Sequence, residues 1–526
     1  MRSLFFIVRK NFFFLLLTLV SVMTLLPLLR YGPMAVFYHV DPDVIYVGNA
    51  ISYVKSHLIF YKDHPGTPAI VMLAWSYWPL RLYAKLIEHQ PFVSWCFDNL
   101  RFLLLYSRFF FFLVFAFSLF IYLKAVWLFT KSKLTTIFAL LGLFLFTPFF
   151  ELGAKIYAEH NSFFYFSLWL FVFSGYVLRK KPFYLYLLSV FAGLGMATKL
   201  NNYVLLVASL GLAFFGTSRN LLDGVKKTGI AGSLIACAFF ASTWSIKPLY
   251  KPMFTRFFSV MLHSGIEGAH GAGGTPFIDF TNYATNLRNL FISNNTSLLV
   301  AAATIIAFLI LFLKKRVKVL GPVGILLFST VASSLILLKY PNTYYQLPSY
   351  LIYLFLGCFL FAKINRYLKV LLLAILLVVL VPRVVNNLHY EMKLARSAVE
   401  LEDEIAKNSH TMITLWDYGP ARDFAFIWIR AWARGTFLEE LAAKRPDLLE
   451  LDADYKRVYS KYYYDVHDVW QICWDKLYIR EDRAKVFLAK YPGKKLVIKP
   501  VGDTGIWEIQ SKHCNTNGKP LGVFSR

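Results

Sequence analysis

The chain has 526 residues, of which 57% are apolar and only 16% are charged. Soluble domains carry about 25% charged residues, so this composition excludes an ordinary soluble protein and indicates one that crosses a membrane repeatedly. The net charge of +26 does not indicate nucleic-acid binding, because the basic residues cluster in short loops between apolar runs, as the positive-inside rule predicts.

The first apolar run covers residues 11–29. Arg2, Arg9 and Lys10 precede it, so we expect a cytoplasmic N-terminus. No small-residue cleavage site follows closely, and we therefore interpret this run as an uncleaved membrane span and not as a signal peptide.

Ten further apolar runs follow, which gives about eleven predicted spans. They cover residues 102–123, 134–150, 162–178, 183–197, 203–215, 230–246, 297–313, 319–338, 350–361 and 368–381. Several are shorter than the ~20 residues that a membrane helix needs, so we expect their helices to extend into flanking residues. Every second loop is basic, which predicts a polytopic α-helical membrane protein with its N-terminus inside and its C-terminus outside.

Two domains are predicted from the change in composition along the chain. Residues 1–385 form a transmembrane domain, with long outer loops at 30–101 and 247–296, and residues 386–526 form a small extracytoplasmic α/β domain. The segments "TMITLWDY" and "KLVIKPVGDTGIWEI" in the tail are typical of strands. Cys473 and Cys514 also lie in the tail, where their spacing alone does not establish a disulfide.

The predicted first outer loop contains two carboxylates, in the stretch "HVDPDVIYVGNA". Asp41 before Pro42 is typical of a helix cap, and Asp43 would then lie in the first helical turn, where the helix dipole favours an acid. A carboxylate beside the membrane is also suited to act as a general base for a hydroxyl or amine nucleophile. Both interpretations stay open for these two residues.

An apolar stretch, "HPGTPAIVMLAWSYWPL", follows in the same loop and is interrupted by Pro and Gly. It is typical of a helix that lies in the membrane interface. We expect Trp75, Tyr77 and Trp78 to lie at the level of the lipid headgroups.

Cations near the outer boundary of the spans form a second group of candidates. Arg108 lies within an apolar run, and Lys199 ends the fifth predicted span. A cation within a span is costly and is a functional candidate, here for a lipid-carrier phosphate. The alternative is that the side chain extends to the interface, which is the favoured interpretation for Lys339.

Polar residues in two outer loops complete the candidates. Glu159 and His160, in the turn between the third and fourth spans, are suited to orient a sugar hydroxyl, although Glu159 is equally suited to a solvated helix start. His263, Glu267 and His270 match no zinc-binding spacing, so the sequence predicts no metal site there.

Four stretches together resemble the polyprenyl-phosphate-dependent glycosyltransferases of the GT-C fold, which include protein O-mannosyltransferases and the lipid A aminoarabinose transferase. In chain order they are "DPDVIYVGNA", "HPGTPAIVML", "FAGLGMATKLNNYVLL" and "KYPNTYYQLPSYLIYL". The resemblance covers about the first 385 residues. The adjacent Asp-Glu pair of the family is replaced by Asp-Pro-Asp, and the spacing to Tyr46 and Ala50 favours Asp43 over Asp41 as its acid.

The resemblance implies an inverting glycosyltransferase in a bacterial inner membrane or its equivalent. It would move a sugar from a polyprenyl-phosphate donor to a lipid, glycan or protein acceptor on the non-cytoplasmic face. Asp43 or Asp41 would be the general base, and the other implied residues are the phosphate-binding Arg108, Lys199 and Lys62 and the substrate-binding His64, Glu159, His160 and Tyr345.

Metal dependence varies across that superfamily, so the resemblance implies no particular cofactor and leaves a divalent metal open. The expected partners are the donor, the acceptor and membrane lipids, and nucleic acid is not among them. The alternative function is a membrane transporter or lipid flippase, which predicts acidic residues in mid-span and paired broken helices.

Overall fold

The structure is a computed structural model. It describes residues 26, 30, 43–61, 66–146, 149, 152, 155–216, 218, 220–262, 280–313, 320–338, 343–406, 411–414, 424–426, 429, 437, 440, 448–452, 454–459, 466–472, 474–494, 496–502 and 504–511. The chain divides into two compact units. The first comprises Met1–Ser21, Tyr61–Ala69 and Phe111–Asn387, and the second comprises Val22–Phe60, Ile70–Phe110 and Leu388–Arg526.

Helices account for most of the described chain. In chain order they are α1 (Asp43–Ser56), α2 (Thr67–Ser76), α3 (Trp78–Leu86), α4 (Phe92–Asp98), α5 (Leu100–Thr130), α6 (Lys133–Phe144), α7 (Ala158–Arg179), α8 (Pro182–Thr198), α9 (Tyr203–Gly211), α10 (Leu221–Ser242), α11 (Tyr250–Leu262), α12 (Phe280–Leu313), α13 (Leu320–Leu337), α14 (Leu347–Phe361), α15 (Arg366–Ala406) and α16 (Glu481–Lys490). Short 3₁₀ segments cover Leu200–Asn202, Trp244–Leu249 and Thr343–Gln346, and a π-helical turn covers Leu212–Gly216.

Local signals fix where several of these helices begin. The Ser132 hydroxyl accepts a hydrogen bond from Thr135 N at 3.3 Å and caps α6, and the Asn220 side chain caps α10 through Asp223 N at 2.9 Å. Pro182 is the first residue of α8, where its missing N–H costs no intrahelical hydrogen bond. Side-chain caps and proline therefore define where these apolar helices begin, as expected for short loops between helices.

Five described helices are long and apolar enough to cross a membrane: Leu100–Thr130, Ala158–Arg179, Leu221–Ser242, Tyr344–Phe361 and Arg366–Ile405. Shorter apolar helices cover Lys133–Phe144, Pro182–Thr198, Leu200–Gly216, Leu298–Ile310 and Gly321–Leu337. Together they overlap the ten apolar runs predicted after the first, which itself lies almost wholly outside the described residues. The helices are compatible with a membrane-embedded protein, and the count of eleven spans and their inside–outside orientation stay predictions.

The helices of the first unit pack around an aromatic core. Trp169 and Phe173 stack there with their ring centroids 5.4 Å apart. The buried hydroxyl of Tyr350 donates to Gly142 O at 2.5 Å. A Cβ at Gly142 would lie 2.5 Å from Leu354 Cδ1, so glycine allows close approach of two helices at this point.

The tail of the second unit contains a mixed sheet of seven strands in the order β4-β3-β2-β1-β5-β7-β6. They are β1 (Thr411–Thr414), β2 (Leu449–Leu451), β3 (Arg457–Tyr459), β4 (Val466–Asp468), β5 (Lys476–Arg480), β6 (Leu496–Pro500) and β7 (Ile506–Ser511). Strand β1 pairs parallel with β2 and β5, and the other neighbours are antiparallel. Strand β1 covers the first four residues of the segment "TMITLWDY", whose other residues lie outside the described part of the chain, and β6 and most of β7 lie in the segment "KLVIKPVGDTGIWEI".

A buried core joins this sheet to α16. Met412, Trp474, Leu477, Phe487 and Ile509 are among its fully buried side chains. Strand β5, next to the central strand β1, was not predicted from the sequence, because the three consecutive apolar residues of "KLYIR" show no alternation of apolar and polar positions.

An acid-capped turn precedes strand β3. Asp454 Oδ1 accepts hydrogen bonds from Lys456 N at 2.9 Å and Arg457 N at 3.1 Å. Partial burial opposes the charge on Asp454, but these backbone hydrogen bonds and Arg457 outweigh it and hold the pKa of the carboxyl below its ordinary value.

Helix α15 extends far beyond its predicted span. The apolar run ends at residue 381, whereas the helix continues through Pro382 to Ala406. Residues 387–406 are rich in Glu, Lys, Leu, Ala and Arg, which are strong helix formers. The fall in hydropathy after residue 381 therefore shows where the apolar run ends, whereas the helix itself continues. Residues 386–406, predicted as the start of the α/β domain, are therefore helical.

Candidate functional site

A buried ion pair joins α1 to α5 within the second unit. Asp43 is the first residue of α1, and its side chain is fully buried. Arg108 Nε donates to Asp43 Oδ2 at 2.6 Å, and the Arg108 side chain is 4% exposed. The two candidates that the sequence places 65 residues apart are therefore in direct contact.

Asn49 fixes the loop that follows α1. Its side chain is fully buried, its Nδ2 donates to Ile45 O at 2.8 Å, and its Oδ1 accepts from Phe60 N at 2.9 Å. Gly48 beside it packs against the tail, since a Cβ there would lie 3.2 Å from Ile429 Cγ2. Gly48 thus allows close packing of α1, a role the sequence did not assign to it.

Tyr77 holds the junction of α2 and α3 against α5. Its hydroxyl lies 2.6 Å from Ser107 Oγ, and Ser107 in turn donates to Leu103 O at 2.6 Å, so Tyr77 is the donor in the first bond. Burial raises the pKa of the Tyr77 hydroxyl well above its ordinary value. Trp75 and Trp78 are exposed but Tyr77 is buried, so Tyr77 does not share the exposed interfacial surface expected for all three.

A second buried ion pair lies in the first unit. Lys199 follows the last residue of α8, and its Nζ donates to Glu159 Oε1 in the first turn of α7. Their side chains are 8% and 6% exposed. The Lys199 ammonium lies 5.1 Å from the centroid of the Tyr345 ring, so three predicted residues from three separate segments meet in one cluster.

The turn after Lys199 is tied to its surroundings by residues that the sequence did not single out. Asn202 Nδ2 donates to Ser162 Oγ at 3.0 Å and to Gly195 O at 2.7 Å. Asn201 Nδ2 donates to Tyr345 O at 3.3 Å. The two adjacent asparagines between two apolar helices could have indicated these contacts in the sequence. Amide side chains commonly form hydrogen bonds with backbone groups at such junctions.

One backbone hydrogen bond connects two of the quoted stretches. Gly66 N, in "HPGTPAIVML", donates to Thr198 O, in "FAGLGMATKLNNYVLL", at 2.9 Å. Gly66 has φ = 54°, in the left-handed region that favours glycine. Two segments that the sequence only suggested as parts of one site are therefore adjacent within the first unit.

His160 is held by backbone groups. Its Nε2 contacts Leu152 O, its Nδ1 lies 3.1 Å from Tyr157 O, and its ring lies 5.2 Å from that of Phe111. Both ring nitrogens thus contact the segment before α7, an arrangement that favours a role in shaping that segment over direct contact with a sugar.

Other predicted residues lie outside the described part of the chain: Asp41, Lys62, His64, Lys339, His263, Glu267, His270, Cys473 and Cys514. Among the residues that the structure does describe, no group of three or more His, Cys, Asp or Glu is arranged to hold a metal ion.

The two ion pairs belong to different units, and the expectation that they share one cavity stays a prediction of the resemblance. No protein-family model and no curated protein sequence matches the chain. The GT-C assignment accordingly rests on the four quoted stretches and remains a resemblance.

Proposed function

We propose that this protein is an integral membrane glycosyltransferase that transfers a sugar from a polyprenyl-phosphate donor to a nucleophilic acceptor on the non-cytoplasmic face. The observation that carries the proposal is the fully buried Asp43 carboxylate, held by Arg108 at the start of α1. The acceptor is a lipid, glycan or protein that presents a hydroxyl or amine.

Asp43 has the properties of a positioned general base. Its Oδ2 is fixed by the Arg108 guanidinium, and the N-terminal end of α1 favours a negative charge at this position. A buried carboxylate interacts strongly with a nearby proton donor because the local dielectric constant is low. Arg108 is accordingly a positioning residue for the base, a narrower role than the phosphate-binding one expected from the sequence.

Lys199 is the proposed phosphate-binding residue. Its ammonium is paired with Glu159 and lies over the Tyr345 ring, so it is held in place before any donor arrives. A donor phosphate would compete with the Glu159 carboxylate for the same cation. The attraction of Lys199 for the phosphate would stabilise the negative charge that develops on the leaving group.

The proposed reaction is a single displacement. Asp43 accepts the proton of the acceptor hydroxyl or amine, and the acceptor atom bonds to the anomeric carbon. The bond between that carbon and the phosphate oxygen breaks, and polyprenyl phosphate leaves with the bonding electrons. Attack opposite to the leaving group inverts the anomeric configuration.

The test uses the full-length protein in nanodiscs with a radiolabelled polyprenyl-phosphate sugar and a membrane extract as acceptor. Asp43→Asn keeps the shape of the side chain and is expected to lower transfer by at least about a hundredfold, as loss of a general base does. The matched control is Asp223→Asn, which neutralises the partly exposed carboxylate of the Asp223–Lys227 pair on α10. This control is expected to transfer sugar at the wild-type rate.

Binding of the donor is measured on the same samples. Asp43→Asn is expected to be less stable than wild type, because Arg108 loses its partner in the buried pair, so donor binding by the same sample shows that the assayed protein is folded and separates loss of chemistry from loss of folding. Transfer by Asp43→Asn at the wild-type rate, or an absence of transfer by the wild-type protein from any polyprenyl-phosphate sugar, would overturn the proposal.

A further inference from the structure

An exposed apolar surface covers α2 and α3 in the second unit. Its exposed side chains are Trp75, Trp78, Leu82, Tyr83, Leu86 and Ile87. Helix α3 has nine residues and is about 14 Å long, which is too short to cross a hydrocarbon core of about 30 Å. A short helix with such a surface is typical of a segment that lies in the membrane interface.

The charge of this segment is entirely positive. Residues 67–87 contain no acid, and their two charged residues are the exposed Arg81 and Lys85. The next acid, Glu88, accepts a hydrogen bond from the Tyr83 hydroxyl at 2.9 Å. Aromatic and aliphatic side chains beside uncompensated cations match the chemistry of an anionic phospholipid surface.

A cavity of about 290 Å³ opens between the end of α1 and the α2–α3 segment. Its lining includes Tyr53, His57, Trp75, Trp78 and Arg81, and no carboxylate is among the described residues that line it. The aromatic rings suit the glycerol and upper acyl region of a lipid. The Arg81 guanidinium suits its phosphate, because it offers several N–H donors in a plane.

We propose that this cavity binds the headgroup of an anionic phospholipid, with Arg81 donating to the phosphate and Trp75 and Trp78 packing on the glycerol region. The site goes beyond the proposed transfer reaction, which takes place at Asp43, at the opposite end of α1. A lipid bound here would hold the α2–α3 segment at the membrane surface.

The test titrates the full-length protein in a nonionic detergent with phosphatidylglycerol or phosphatidylcholine and measures the Kd of each by native mass spectrometry. Without a bilayer no charged surface attracts the lipid, so the cavity itself is examined. Arg81→Gln is expected to raise the Kd for phosphatidylglycerol about tenfold, the effect of one charge-assisted hydrogen bond. The matched control Lys85→Gln removes the same charge from the same helix, outside the cavity lining. It is expected to change that Kd by less than about twofold.

Three results would overturn the assignment. The first is equal weakening by Arg81→Gln and Lys85→Gln, which would show attraction by general positive charge. The second is equal affinity for phosphatidylcholine and phosphatidylglycerol. The third is displacement of phosphatidylglycerol by glycerol 3-phosphate, which would show a site for a soluble phosphate ester. Because these titrations measure lipid binding without sugar transfer, their failure is distinguishable from failure of the proposed function.

Discussion

Replacing one member of the Asp43–Arg108 ion pair leaves the other charge buried without its partner in that pair. The two side chains are 0% and 4% exposed, so little water can reach the remaining charge. Breaking a buried pair in this way typically costs about 3–5 kcal/mol. We therefore expect Arg108→Gln to lower the free energy of unfolding by about 3–5 kcal/mol, a large part of the total for an ordinary domain.

Neutralising both members has a different consequence. The double variant Asp43→Asn/Arg108→Gln buries two polar groups of similar shape and no net charge. We expect it to be within about 2 kcal/mol of the wild type, because replacement of a buried ion pair by a neutral pair is often close to neutral. The two substitutions are thus expected to be strongly non-additive.

The assay combines denaturant unfolding of the full-length protein in a mild detergent with sugar transfer by the same samples. Asp223→Asn, which neutralises the i,i+4 pair with Lys227, is the stability control and is expected to cost no more than about 0.5 kcal/mol. If Asp43 is the base, the double variant is stable but inactive. If the pair is only structural, the double variant regains both stability and transfer.

Two results would refute this reasoning. A cost below about 1 kcal/mol for Arg108→Gln would show that the pair is not buried as described, since that is the range of exposed pairs. Transfer at the wild-type rate by the stable double variant would show that Asp43 is not the base.

Three further predictions concern other parts of the chain. Lys199→Met is expected to raise the Kd for the labelled donor at least about tenfold, and an unchanged Kd would remove Lys199 from the donor site. Gly193→Ala would press a methyl group against Ile235 O and is expected to cost about 1–3 kcal/mol in denaturant unfolding, whereas Gly229→Ala, with open space around it, is the unaffected control. The pKa of Asp454 is held below its ordinary value of 3.8, so its charge stabilises the fold above that pH and the stabilisation is lost as the pH falls through the lowered pKa. Asp454→Asn is thus expected to unfold at a lower temperature than wild type near neutral pH but at the same temperature at low pH, and a difference that persists in acid would contradict this origin.

The sequence by itself determined the apolar helices and part of the tail sheet. Long runs of Leu and Phe can be buried in lipid or in a protein core only when their backbone groups form hydrogen bonds within the segment, as they do in a helix. The positions of the apolar helices therefore follow from local composition. The position of Asp43 in the first turn of α1 was also predictable, because the preference for an acid there depends only on that helix. Strands β1, β6 and β7 were recognisable from their short apolar segments.

Only the tertiary structure decided which candidates contact one another. Asp43 meets Arg108 across 65 residues, and Glu159 meets Lys199 across 40, because helix packing brings their backbones together. No local pattern encodes such pairs, since the sequence around each residue is compatible with either a solvated or a buried charge. The same reason explains why the contacts of Tyr345 and Asn201 emerged only in three dimensions. Local sequence thus determined the positions of the charged residues relative to the apolar helices, and helix packing determined which of these residues are buried together.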